Sequence, residues 1–183
     1  MSERELRVTS TRIVYENRWL RMREDQTVHP DGTPGVYAYV EKPPAAVILA
    51  LEDDDHVWLV QQYRHPVRAR FWEAPGGAWE DAEHHDPEAV ARGELAEETG
   101  LRAGSMELLG TLFFVYGLTD QRFGVWLATG LTRGEPQLEA TEQGLESGCF
   151  ALDEVERMIR DGEIADSATV AAFGLLSLKR AAR

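Results

Sequence analysis

The segment from Asp86 to Gly100 is the most constrained part of this sequence, because both of its ends are written in residues that start and stop a helix. Asp86 suits the N-cap, Pro87 the first helical position, and Glu88 the positive end of the helix dipole. Gly100 suits the residue just past a helix end, so the pattern predicts a helix running from Pro87 to Thr99. Ala89 and Leu95, with Val90 and Ala91, supply its buried stripe. Glu94, Glu97 and Glu98 then fall at i, i+3 and i+4, within an arc of about 100° on one face. Like charges so placed repel by roughly a few tenths of a kcal/mol per pair. Glu97 and Glu98 also lie in the last turn, where the dipole disfavours negative charge by about 0.3–1 kcal/mol. A hard divalent cation removes that penalty, since Mg²⁺ or Mn²⁺ prefers carboxylate oxygen. Taken alone, the three residues read more readily as a solvated acidic face than as a metal site.

The rest of the chain reads as strands separated by turns. Thr11–Tyr15 and Trp19–Arg23 suggest short strands, and Pro30–Pro34 is a turn before a strand at Val36–Val40. Ala45–Leu51 is an uninterrupted apolar run, the pattern of a buried strand, and His56–Tyr63 follows it across an acidic turn. Phe71–Ala74 is another short strand, ended by Pro75-Gly76-Gly77. Further strands are expected near Met106–Val115, Phe123–Ala128 and Gly148–Ala151. Leu152–Asp161 reads as a helix closed by Gly162, and Asp166-Ser167 opens a last helix carrying Val170, Phe173, Leu176 and Leu178. Strands and three helices without regular alternation predict an α/β fold, a mixed sheet flanked by helices.

The chain has 183 residues, enough for one well-packed domain. Its formal net charge of −13 repels nucleic-acid backbones and anionic membranes, so neither is expected as a partner. The same charge repels phosphates, so a phosphate-bearing substrate needs a cation to reverse the local sign. No apolar run approaches a membrane span and the first residues lack a secretory pattern, which makes the cytoplasm the expected location. The single cysteine, Cys149, excludes an internal disulfide, and its apolar neighbours predict a buried, inert thiol.

The loop before the helix adds the decisive residues. Pro75-Gly76-Gly77 lets backbone approach a ligand closely. Glu80 and Glu83 add carboxylates beside it. Gly77, five residues, Glu83, and then Glu94-Leu95-Ala96-Glu97-Glu98-Thr99-Gly100-Leu101 resemble the Nudix box, G-x5-E-x7-R-E-U-x-E-E-x-G-U. The resemblance implies a Nudix-type α/β/α sandwich and a metal-dependent pyrophosphohydrolase. By that resemblance Glu94, Glu97 and Glu98 are catalytic and hold Mg²⁺ or Mn²⁺, with the Gly76-Gly77 turn, at Gly77, supplying a backbone carbonyl. Two departures stand out. Nine residues rather than seven separate Glu83 from the arginine position, an insertion assigned to an exposed loop at His84-His85. The arginine position itself is Gly93, and its neighbour Arg92 is rotated about 100° around the helix. Glycine there weakens the helix by about 1 kcal/mol relative to alanine. Either another base such as Arg64 or Arg70 orients the carboxylates, or activity is reduced.

Gln61-Gln62-Tyr63-Arg64 followed by Trp72-Glu73-Ala74-Pro75 resembles the ADP-ribose and nucleotide-sugar pyrophosphatase branch. That likeness implies a small nucleoside diphosphate derivative as substrate, with Arg64 and Glu73 in its binding site. It also implies that residues 1–44 form an N-terminal strand segment joining two copies as a homodimer, while 45–183 form the hydrolase domain. Tyr116 replaces the proline of a Pro-Gly pair common in ADP-ribose-selective members and is a candidate to contact the base, as is Trp72; core packing is the alternative for each. Among Glu139, Glu142 and Glu146, Glu142 is favoured as the general base that such proteins recruit late in the chain. Two rivals stay open: a dinucleoside polyphosphate hydrolase, and a nucleotide-binding module that no longer cuts.

Overall fold

The computed structural model describes residues 5–79, 84–138 and 143–182. Its elements run β1 (Arg7–Glu16), β2 (Arg21–Val28), β3 (Pro34–Glu41), β4 (Ala45–Leu51), β5 (His56–Arg64), β6 (Ala69–Glu73), β7 (Gly76–Gly77), α1 (Pro87–Thr99), β8 (Leu101–Phe113), β9 (Arg122–Arg133), β10 (Glu146–Ala151), α2 (Leu152–Asp161) and α3 (Ser167–Ala181). The larger sheet has the order β10-β5-β4-β9-β8, with β6 on β5 and β7 on β4. Strand β4 pairs parallel with β9 and antiparallel with β5, so the sheet is mixed.

The uninterrupted apolar run of β4 is explained by cover on both faces. Ala46, Ile48 and Ala50 pack against Val90, Ala91 and Leu95 of α1. Val47, Leu49 and Leu51 pack against Val155 and Met158 of α2 and Ala168, Ala172 and Leu176 of α3. Each large aliphatic buried this way contributes about 1.5–3 kcal/mol. The result is a helix–sheet–helix sandwich, with α1 held by its cap: the Asp86 side chain accepts from Glu88 N, and Gly100 is left-handed at φ 73°.

A separate antiparallel sheet, β1-β2-β3, precedes the sandwich. It is laced by ion pairs, Arg12–Glu24 at 2.8 Å, Arg21–Glu16 at 2.6 Å and Arg23–Glu41 at 2.6 Å. Every residue of β1 is exposed. The end of β3 is fastened to the loop between β8 and β9. Val40 N donates to Leu118 O at 2.9 Å, and the Tyr37 hydroxyl donates to Gly117 O at 2.9 Å.

Several expectations are corrected here. Ala89 is exposed, and Val90, Ala91 and Leu95 form the buried stripe of α1. On α3 the buried residues are Ala168, Thr169, Ala172 and Leu176, whereas Val170 is 40% and Leu178 70% exposed. Phe173 and Leu175 pack partly buried against the same core cluster as Leu176, and Val170 and Leu178 are left exposed. Cys149 is exposed, not buried. Phe150 turns inward onto Trp72, with ring centres 4.7 Å apart, and strand alternation sends its neighbour outward.

Candidate active site

Strand β7 is the glycine pair itself, paired antiparallel with β4 as Val47↔Gly76 and Ala46↔Gly77. Any Cβ on Gly76 would overlap the Ala46 carbonyl oxygen. The turn is thus pressed onto the central strand, and Ile48 N donates to Pro75 O at 2.8 Å. Helix α1 lies directly above it. Gly76 N donates to the Glu98 carboxylate at 2.8 Å. A Cβ on Gly77 would come within 2.5 Å of Glu94 Oε2. The two carboxylates therefore converge on one turn, with Glu94 5% and Glu98 3% exposed. Glu97 is half-buried on the same helix, and its carbonyl accepts from Gln137 N at 2.9 Å.

Burial raises the cost of keeping two carboxylates charged at one turn, and a cation lowers it. Hard oxygen donors of this kind suit Mg²⁺ or Mn²⁺, which commonly takes one or two protein carboxylates and completes its shell from phosphate and water. Among the described residues no three His, Cys, Asp or Glu side chains converge into a metal cluster; Glu94 and Glu98 are two carboxylates that meet at the glycine turn.

A cleft of about 810 Å³ opens in front of the turn. Gly76, Gly77, Arg64 and Glu73 lie on its floor and wall, and Trp19, Lys42 and Gln121 line it from the side of the first sheet. Arg64 meets Glu73 in a forked pair, at 2.6 Å from Nη2 and 3.2 Å from Nε. Burial pushes the Glu73 carboxyl above its ordinary value, while the Arg64 guanidinium pulls it back. The pair leaves Arg64 about half exposed toward the cleft, with its fork held in place from behind. At the far wall Asp166 caps α3: its carboxylate accepts from Thr169 N and from Thr169 Oγ1, both at 2.7 Å. Thr169 Oγ1 in turn accepts from Ala74 N at 2.9 Å, tying α3 to the strand that leads into the glycine turn.

The expected site residues divide clearly. Glu94 and Glu98 meet the glycine turn, and Gly77, Arg64 and Glu73 line the cleft. Tyr116 stands 87% exposed on the β8–β9 loop, outside the cleft lining, so it is not a core residue. Trp72 packs on Phe150. Glu80, Glu83, Glu139 and Glu142 lie outside the described residues, whereas Glu146 begins β10, 3.9 Å from Arg70. The basic residues near the box are committed elsewhere. Arg92 bonds Glu88 and the Ala103 carbonyl, Arg64 bonds Glu73, and Arg70 bonds Gln61 and the Gly144 carbonyl. Trp19 and Gln121 were missed by sequence reasoning. An aromatic in the polar turn Asn17-Arg18-Trp19 was the available signal, but its position over the cleft depends on a contact between distant segments.

The chain is similar to known proteins along nearly its whole length. The Nudix domain matches residues 41–173, and the nucleoside diphosphate sugar hydrolase N-terminal domain matches residues 7–40. The chain is 32% identical over 172 residues to an ADP-ribose pyrophosphatase of Mycobacterium tuberculosis, covering 93% of this chain and 83% of that protein. It is 30% identical over 183 residues to a methanol dehydrogenase activator of Bacillus methanolicus, covering 97% and 95%. A solved structure of an ADP compounds hydrolase superposes with a TM-score of 0.82 at 20% identity, over 97% of this chain and 95% of that one, and so shares the fold. With that domain match and those relatives, the chain belongs to the Nudix family, whose members generally use divalent metal ions.

Proposed function

We propose that this chain is a pyrophosphohydrolase that cleaves the diphosphate of ADP-ribose or a nucleotide sugar with Mg²⁺ or Mn²⁺. The observation that carries the reading is the convergence of buried Glu94 and Glu98 on the Gly76–Gly77 turn at the floor of the cleft. The names of similar proteins, ADP-ribose pyrophosphatase in Mycobacterium tuberculosis and in Bacillus subtilis, supply the substrate class.

Glu94 and Glu98 hold the cation, with Glu97 as a further ligand and the Gly77 carbonyl as a backbone donor. When bound, a divalent cation neutralises the diphosphate and makes nearby water more acidic. Arg64, oriented by Glu73, grips a phosphate with the guanidinium N–H groups that Glu73 leaves unused. Glu142 accepts the proton as water adds to phosphorus and the bridging P–O bond breaks. A nucleoside monophosphate and a sugar phosphate leave. Trp19, on the cleft wall, is better placed than Tyr116 to stack on a base.

The first sheet joins two copies in this reading. Strand β1 presents exposed Val8, Ile13, Val14 and Tyr15, an apolar surface that a second chain would cover. The exposed, unpaired Cys149 suits the reducing cytoplasm.

A panel of ADP-ribose, nucleotide sugars and dinucleoside polyphosphates, with Mg²⁺, with Mn²⁺ and with EDTA, tests the proposal. ADP-ribose or a nucleotide sugar should be split into two monophosphates, and EDTA should stop the reaction. Tight binding of these compounds without turnover would reassign the chain as a nucleotide-binding module.

A further inference from the structure

The two departures of this chain from the Nudix pattern meet on one side chain. Gly93 stands at the arginine position, and His84-His85 lengthens the loop before α1. The Trp79 indole touches both. A Cβ built on Gly93 would overlap the ring, with Cε2 3.1 Å and Cη2 3.2 Å away and Cζ2 closer still. The His85 ring meets the indole edge to face, with centres 5.0 Å apart and planes at 86°. Trp79 is partly buried and packs on the cluster that α1 forms with β4.

The contact is half of a reciprocal interlock. From the helix, Glu94 fills the space over Gly77. From the glycine turn, two residues farther along the chain, Trp79 fills the space over Gly93. Each element supplies a side chain where its partner supplies a glycine. Any side chain at position 93 would expel the indole, so the arginine of the family pattern and Trp79 exclude each other. Arg92, the adjacent base, is tied to Glu88 and to the Ala103 carbonyl.

We propose that Trp79 is the positioning residue of this site: its indole, seated on Gly93 and edged by His85, locks the glycine turn against α1. It thereby sets where Glu94 and Glu98 stand, in the space where the family pattern has arginine. The inference rests on reading Glu94 and Glu98 as the working carboxylates.

The test uses the full chain and four variants: Trp79→Ala, Trp79→Phe, Gly93→Arg, and Trp79→Ala combined with Gly93→Arg. For each, kcat and KM are measured with ADP-ribose at saturating Mg²⁺, and Mn²⁺ affinity is measured on substrate-free protein by electron paramagnetic resonance. Trp79→Ala should lower kcat and Mn²⁺ affinity by about tenfold or more, with KM within about twofold, because small displacements of reacting groups are costly. Trp79→Phe should recover most of both. Gly93→Arg alone should lose both, and adding Trp79→Ala should restore part of the loss by freeing the space. Trp79→Ala with kcat and Mn²⁺ affinity within about twofold of the parent would overturn the inference, since a positioning role requires a larger loss. If Trp79→Ala does not fold, the double variant decides: recovery over Gly93→Arg alone supports the interlock, and no recovery contradicts it. Glu94→Gln and Glu98→Gln are run alongside. Should these also keep turnover, the reading of the carboxylates fails. Should they abolish it while Trp79→Ala is silent, only the role of Trp79 fails.

Discussion

The two sheets of this molecule are built on opposite terms. In the larger sheet, β4 is covered on both faces, and its residues from Ala46 to Leu51 are all buried. In the smaller sheet, β1 is exposed along all ten residues and is held by ion pairs to β2 and by its strand register. A strand covered twice needs only apolar side chains, whereas a strand covered by nothing in its own chain keeps charge and apolar surface side by side. The contrast separates the tasks. The covered sheet holds the glycine turn, over which α1 places Glu94 and Glu98, and the turn leaving β1 lines the cleft through Trp19.

The largest expected effect lies on the covered side. Glu98→Gln keeps the shape of the acceptor for Gly76 N but removes the charge, and kcat should fall by about a hundredfold or more. Steady-state kinetics with ADP-ribose measures this, and wild-type turnover would detach the chemistry from the covered sheet. Next comes packing. Leu49→Ala, at a position 0% exposed, should cost about 2–5 kcal/mol in denaturant unfolding. Ile13→Ala, at a position 49% exposed, should cost less than about 1 kcal/mol in dilute protein. It should cost more at high concentration if a second copy covers β1. Equal losses at the two positions would erase the contrast.

A smaller effect concerns pH. Folding raises the Glu73 carboxyl above its ordinary value of 4.5, chiefly by burial, so the folded chain favours the protonated form. That contribution is fully present below about pH 4.5 and is lost as pH rises through the folded value. Thermal scans from pH 4 to 7 should therefore show a shallower decline with rising pH for Glu73→Gln than for the parent. A steeper decline would reverse the assigned sign. Smallest of all, Arg12→Ala removes an exposed pair with Glu24 in the open sheet and should change stability by no more than about 0.5–1 kcal/mol, less still in high salt.

What could be read from the sequence follows the same division. The bounds of β4, α1 and α2 are local properties: an apolar run, a capping Asp86 with Pro87, and Gly100 and Gly162 as stops. Glu94 and Glu98 were legible because helical spacing fixes their common side. The exposure of Cys149, Ala89, Val170 and Leu178 depends on which surface each element meets, and no local pattern states that. Trp19 over the cleft joins segments far apart in the chain, and Trp79 on Gly93 depends on how the loop before α1 folds back onto it. The sequence showed the missing arginine plainly, but the indole in its place appears only when turn and helix are brought together.

The most direct measurement is an anomalous difference map from a crystal grown with manganese and recorded near its absorption edge. The account predicts a manganese peak within coordination distance of carboxylate oxygens of both Glu94 and Glu98, beside the Gly76–Gly77 turn. A well-ordered map with no peak between those side chains, or with manganese bound only elsewhere, would contradict it.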